Sequence, residues 1–431
     1  MNVVIVHYHL NPGGVTRIIE SQVKGIHNVS EGTELTVLCG YDDGTANLPG
    51  ALIQVDGSLN YSTTSLSAGH FEEEVEKITA CIKRHLTDKA ILHCHNPNLG
   101  KNPALTLAVY KLALEGYPVV NHCHDFPEDR QVNLDCLEKF IPASSKLPLS
   151  HILYPHLARY HFITLNSCDY NHILERGMPV SRVHLVPNPV SLSKLIIQAD
   201  KPAIKKKICE VLGFKSSKKI CTYPVRAIER KNLGEFILVA ALFAEVAQFT
   251  VTLPPKNPLE MPRYNHWKNF CLEKGIAVKF ESGKKVNHEE LINISDFCIT
   301  TSIREGFGMV YLEPWLAGTP VIGRDLPCVT ADLKGHGVEF PRLYTNILIE
   351  TKDGMVDFKD LKLEDQQKVI TEVAFQKSSG LKLFRDNPFL VNFLDDFPPE
   401  IIFKNQNIVK DEFTVEKYGR KLLAIYNEIS Q

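Results

Sequence analysis

Two carboxylates, Glu305 and Glu313, stand eight residues apart in the segment I-R-E-G-F-G-M-V-Y-L-E-P-W-L-A-G-T-P, which runs from Ile303 to Pro320. The apolar run Asp296 to Thr301 before it reads as a buried strand, and Tyr311 to Ala317 after it reads as a helix stopped by Gly318 and Pro320. The turn between them, Glu305-Gly306-Phe307-Gly308-Met309-Val310, therefore joins strand to helix. The N–H groups of Gly308, Met309 and Val310 would lack partners inside such a helix and could converge on an anion, helped by the helix dipole. A bare phosphate would be repelled by two glutamates. Ionised carboxylates are strong acceptors for hydroxyls, so the pattern implies a ligand with both phosphate and polyol rings, as in a nucleoside diphosphate sugar.

Cations stand elsewhere in the chain. Arg226 and Lys231, in R-A-I-E-R-K-N, follow the apolar strand Ile220 to Tyr223. The planar fork of one and the mobile point charge of the other can hold a diphosphate in place of a divalent metal. Arg230 between them reads as a solvated residue at a helix start. Near the N-terminus, Asn11-Pro12-Gly13-Gly14-Val15-Thr16-Arg17 follows the first strand and opens a helix, and its glycines let backbone approach a ligand closely. Two H-C-H triplets, His93-Cys94-His95 and His122-Cys123-His124, put alternate histidines on one strand face. That spacing admits a metal site, but marking strand ends at a cleft is the preferred reading.

The elements that carry these residues alternate from the start: strands at Val3 to His7, Glu34 to Cys39, Ile91 to His95 and Val119 to His122, with helices at Val15 to Lys24, Phe71 to Leu86 and Pro103 to Glu115. The pattern restarts near Lys218, with strands at Ile220 to Tyr223, Phe249 to Leu253, Val278 to Phe280 and Phe297 to Thr300. Such alternation means parallel strands with helical crossovers, so the fold class is α/β with two Rossmann-like doubly wound domains. The stiff Pro187-Asn188-Pro189-Val190 marks the boundary, giving domains 1–190 and 191–412. The closing segment 413–431 carries Tyr418, Leu422, Ile425 and Ile429 on one helix face.

The E-x7-E spelling and the following G-T-P-V-I resemble the retaining glycosyltransferases of family 4, which have the GT-B fold, with two domains facing each other across a cleft. The resemblance covers nearly the whole chain except 334–407. It implies that Glu305 contacts hydroxyls of the donor sugar, that Glu313 binds the ribose, and that the R-x4-K pair Arg226 and Lys231 holds the departing diphosphate. By the same match the Gly13-Gly14 loop closes over diphosphate and acceptor, and His124 lies near the sugar C6 hydroxyl and the reacting centre. His95, Asp125 and Arg17 become acceptor-side candidates, His95 being equally readable as a satisfied structural histidine. The final helix, 413–431, is expected to pack back on the first domain. The match departs at Pro314, where alanine is usual, and at Pro189, where the hinge usually has glycine.

Composition sets the outer bounds. The 431 residues suffice for two cores, and 48 basic against 50 acidic residues give no reason to expect a nucleic-acid partner. No polybasic face or long apolar span signals a membrane, which favours a soluble acceptor. Eleven cysteines without paired spacing read as free thiols in a cytoplasmic protein, and the N-terminus lacks the basic leader of a signal peptide. No D-x-D triplet occurs, which speaks against the metal-dependent transferase class. The expected activity is transfer of a hexose, glucose or mannose, from a UDP- or GDP-hexose to a hydroxyl acceptor, without metal or other cofactor. The alternatives are a nucleotide-sugar epimerase on the same fold and a catalytically silent nucleotide-sugar-binding protein.

Overall fold

The computed structural model describes residues 1–62, 68–87, 89–190 and 200–430, so the first residues of the expected second domain, 191–199, and the last of the closing helix, Gln431, lie outside the described residues. The chain divides into two compact units, Met1–Pro189 with Phe413–Gln431, and Val190–Glu412.

The first unit is built on strands β1 (Asn2–His7), β2 (Glu34–Cys39), β3 (Leu52–Val55), β4 (Ile91–His95), β5 (Val119–His122), β6 (Tyr160–Thr164) and β7 (Val183–Leu185). They form one parallel sheet in the order β3-β2-β1-β4-β5-β6-β7. The direction of winding reverses between β1 and β4, and beside the carboxyl ends of strands at such a switch point α/β sheets bind ligands. Side chains alternate across the sheet. Val3 and Ile5 join a core with Ile19, Val23 and Ile26 of the helix Gly14–Val29 and with Leu422 and Ile425 of Val415–Ser430. Val4 and Val6 face the opposite core, with Val75 and Ile78 of Ala68–Lys83 and Leu105 and Val109 of Pro103–Leu114. The first helix runs on to Val29, past the expected Lys24, because Ile26 keeps the apolar stripe facing the sheet. The closing helix crosses it at two glycines: a Cβ on Gly419 would lie 2.1 Å from the Gly25 carbonyl oxygen.

The second unit repeats the plan with β8 (Lys219–Arg226), β9 (Ala247–Leu253), β10 (Val278–Lys279), β11 (Phe297–Thr300), β12 (Val321–Arg324) and β13 (Leu343–Tyr344), ordered β10-β9-β8-β11-β12-β13. Its switch point lies between β8 and β11. Pairing of β8 with β9 slips between Tyr223 and Arg226, where Pro224 has no N–H to give the ladder. The 334–407 region, which the resemblance does not cover, holds the helix Leu363–Phe375 and an antiparallel hairpin of Leu348–Thr351 with Gly354–Asp357. Arg324 clamps that hairpin to the sheet: Nη2 pairs with Glu235 at 2.5 Å and with Asp357 at 2.8 Å, while Nη1 donates to the Thr345 carbonyl at 2.6 Å.

Nine cysteines are free thiols. No described helix is long and apolar enough to cross a membrane.

Candidate functional site

In the second unit the chain after β8 makes the short helical turn Glu229–Lys231, then places Asn232 in the left-handed region at φ 53° before the helix Leu233–Leu242. This kink brings Lys231 against the loop that follows β11. Its backbone is pinned there, since the Lys231 carbonyl accepts from the Tyr223 hydroxyl and from Thr301 Oγ1, the latter at 3.0 Å. The Lys231 ammonium pairs with the Glu305 carboxylate, and both side chains are nearly enclosed, at 9% and 7% exposure. Ser302 Oγ donates to the same carboxylate oxygen at 2.7 Å, and Arg230 Nη1 lies 3.5 Å from the other. Arg230 also donates to the Arg304 carbonyl at 3.1 Å. The reading of Arg230 as a merely solvated residue is thereby corrected: it is held across the two loops by a carboxylate and a carbonyl. Arg226 ends β8 in the same loop, its Nη1 3.5 Å from the Pro254 carbonyl oxygen.

The turn itself differs from its sequence reading. No continuous helix spans Tyr311 to Ala317. Met309–Tyr311 form one tight turn, Leu312 departs from helical geometry at φ −120°, ψ −51°, and only Glu313–Leu316 follow as a four-residue helix. A macrodipole needs many aligned peptides, so the dipole contribution expected for an anion beside Gly308, Met309 and Val310 is small. Gly308 sits at φ 79°, and a Cβ there would come within 2.6 Å of Val329, so the turn requires glycine. Phe307 and Val310 are buried and anchor the turn on either side of it. Gly306 follows Glu305 directly. Glu313 opens the four-residue helix, and its charge adds to burial in pushing the Cys298 thiol up.

The first unit gathers its histidines at the carboxyl ends of β1, β4 and β5. His95 Nδ1 is 2.8 Å from His124 Nε2, and His95 Nε2 is 2.7 Å from Gln22 Oε1. His93 Nε2 is 3.2 Å from His122 Nδ1, and His93 Nδ1 is 2.7 Å from the Tyr426 hydroxyl. The Gln22 amide closes the set by donating to Tyr426 at 2.8 Å. The rings of His122 and His124 stack with centroids 4.4 Å apart. Burial, reinforced by neighbouring imidazoles, holds His93, His95 and His124 well below the usual histidine range, and burial alone takes His122 to about 3. These imidazoles are neutral at physiological pH. Ring nitrogens of His93, His95 and His122 lie within 4.8 Å of one another. Drawing them in to about 2.0–2.1 Å from a cation would break the bonds just described.

Asn96, in the left-handed region at φ 55°, fixes the loop beyond the histidines, its Oδ1 accepting from the backbone N–H of His124 at 2.6 Å and of Asp125 at 3.3 Å. Gly13 caps the first helix in extended backbone, and Arg17 lies on that helix's first turn. Neither Gly13 nor Gly14 has positive φ or a packing neighbour that a Cβ would strike. Sequence reasoning passed over Gln22, Asn96, Ser302 and Tyr426. Ser302, three residues before Glu305, and Asn96, directly after His95, had a local signal; Gln22 and Tyr426 reach the site from distant segments.

Residues 204–366 match the family model described as glycosyl transferases group 1. Over 339 aligned residues the chain is 30% identical to the mannosylglucosyl-3-phosphoglycerate synthase of Petrotoga mobilis, covering 72% of this chain and 62% of that protein. This chain thus spans less than two thirds of that relative. Among solved structures, Anabaena Alr3699/HepE in complex with UDP-glucose matches at TM-score 0.64 and 15% identity, covering 99% of this chain and 100% of its own. Sucrose-phosphate synthase from Thermosynechococcus elongatus matches at TM-score 0.63 and 13% identity, covering 99% and 98%. At such identities the likeness shows the fold, which is GT-B, with two parallel-sheet α/β domains.

Proposed function

We propose, from a chain whose residues 204–366 match the glycosyl transferases group 1 model, that this protein is a retaining hexosyltransferase. It takes glucose or mannose from a UDP- or GDP-hexose and delivers it to a hydroxyl of a soluble acceptor, without a metal. The observation that carries the reading is the enclosed Lys231–Glu305 pair, flanked by Arg230 and Ser302, in the loop that also bears Arg226. A carboxylate keeps the lysine charged and in place until a pyrophosphate takes over the ammonium, and it is then free to accept sugar hydroxyls. As the bond from the anomeric carbon to the phosphate oxygen breaks, charge grows on the pyrophosphate, and Arg226 with Lys231 neutralise it. Glu313 is assigned to the ribose. Gly13 and Gly14, which no local constraint requires, suit a backbone that approaches the ligand, with Arg17, His95, His124 and Asp125 serving sugar and acceptor.

Support for the donor class comes from the Anabaena structure, whose ligand is UDP-glucose, and for an anionic glycoside as acceptor from the name of the Petrotoga relative. The test incubates labelled UDP-glucose, UDP-mannose, GDP-glucose and GDP-mannose with and without phosphoglycerate-linked glycosides. Acceptor-dependent product that keeps the donor's anomeric configuration is expected. Epimer formation from donor alone would overturn the reading.

A further inference from the structure

The histidine cluster of the first unit has a direction, and one residue sets it. The amide of Gln22 donates through Nε2 to Tyr426 and accepts through Oε1 from His95. Each neutral imidazole carries one N–H and one lone pair. His95 therefore bears its proton on Nε2, and its Nδ1 must accept from Nε2–H of His124. This leaves His124 with an Nδ1 lone pair. On the other branch the single Tyr426 proton goes to His93 Nδ1, His93 donates from Nε2 to His122 Nδ1, and His122 is left with Nε2–H. That nitrogen is buried and has no protein partner among the described residues, so the cost of this direction falls on His122, away from His124. Turning the Gln22 amide over would reverse every donor in both branches. The six groups thus have two self-consistent proton arrangements, and the orientation of the Gln22 amide distinguishes them.

We propose that Gln22 is a positioning residue which, through His95, holds His124 as an acceptor at Nδ1, so that His124 receives a hydrogen bond from a sugar hydroxyl and does not give one. This rests on the reading of His124 as sugar-facing. It specifies the ligand further: at that position the sugar must carry a donor, so replacing its hydroxyl by fluorine weakens binding, whereas the reversed arrangement would require an acceptor.

The ring protons can be located in the whole protein, without substrate, by nitrogen-15 spectra of histidine-labelled material. Protonation of both His95 and His124 on Nε2 is expected. In Gln22→Leu the constraint is removed, and a mixture of tautomers at His124 is expected in a folded protein with a lowered melting temperature, since the buried Tyr426 hydroxyl and His95 Nε2 each lose a partner, together with a KM for donor raised about tenfold, the worth of one hydrogen bond. Protonation of His124 on Nδ1 in the wild-type protein overturns the inference, as does an unaltered tautomer in folded Gln22→Leu. If that variant does not fold, the wild-type spectrum decides alone. Failure of the transferase reading appears separately, as absence of donor turnover by the wild-type protein.

Discussion

The two units bury polar groups in opposite ways. In the first, imidazoles, an amide and a phenol form an uncharged chain, tied by bonds of 2.7–3.2 Å. In the second, the buried polar groups include ions: Arg324 with Glu235 and Asp357 in the core, and Lys231 with Glu305 near the loop ends of the sheet. Even the two ion clusters differ. Burial opposes the charge of Arg324, but its two carboxylates outweigh that and raise its affinity for the proton; burial pushes the Glu235 carboxyl up against the pull of Arg324. We take the cluster as charged, because a planar fork fills both carboxylates and Tyr344 donates to Glu235 at 2.8 Å. Every donor there has a structural task. The compact ammonium of Lys231 can change partners without repacking, which suits a site that exchanges a carboxylate for a phosphate.

Acid separates the units most strongly. His7, His93, His95, His122 and His124 all have folded-state pKa values depressed below 6.5, with His7 and His122 at about 3. A depressed histidine gives stability that is complete above the unfolded value and lost as pH falls from 6.5 toward the folded value. Each of these groups costs about 1.4 kcal/mol per pH unit through that window. Urea denaturation at about pH 7 and about pH 5 should therefore show the first unit weakening more than the second, whose buried ion pairs Arg324–Glu235 and Lys231–Glu305 contain no histidine. Equal acid sensitivity of the two units would erase the contrast.

Next in size is Arg324→Leu, which leaves Glu235 buried without its guanidinium and should remove about 3–5 kcal/mol from the second unit by chemical denaturation. Lys231→Ala should instead act on turnover, lowering kcat about 10²–10³-fold, since a charge aimed at the leaving group is lost. A variant with normal kcat would show that Lys231 is as structural as Arg324. Smallest is Gly419→Ala, whose methyl would meet the Gly25 carbonyl at 2.1 Å and should cost about 1–3 kcal/mol in the first unit. It should also shift the His93 ring signals, because the closing helix carries Tyr426.

The sheets were legible because a buried parallel strand is a short apolar run between turn residues, as at Val3 to His7 and Phe297 to Thr300. The family resemblance was legible because Glu305, Glu313, Arg226 and Lys231 lie within short spellings. What sequence missed is non-local or conformational. Gln22 and Tyr426 are 404 positions apart and meet only because two helices cross at Gly25 and Gly419. The expected helix from Tyr311 fails at the backbone of Leu312, which no periodicity reports. The hairpin at Leu348–Thr351 and Gly354–Asp357 is stabilised by an arginine from a distant strand, so its own residues signal it weakly.

Calorimetric titration of UDP-glucose and GDP-mannose into the wild-type protein and Lys231→Ala probes the donor loop most directly. One donor should bind the wild-type protein, with affinity reduced about 10- to 100-fold in the variant, as expected for a lost charge-assisted hydrogen bond. Equal affinity in the two proteins would contradict the assignment of the pyrophosphate to this loop.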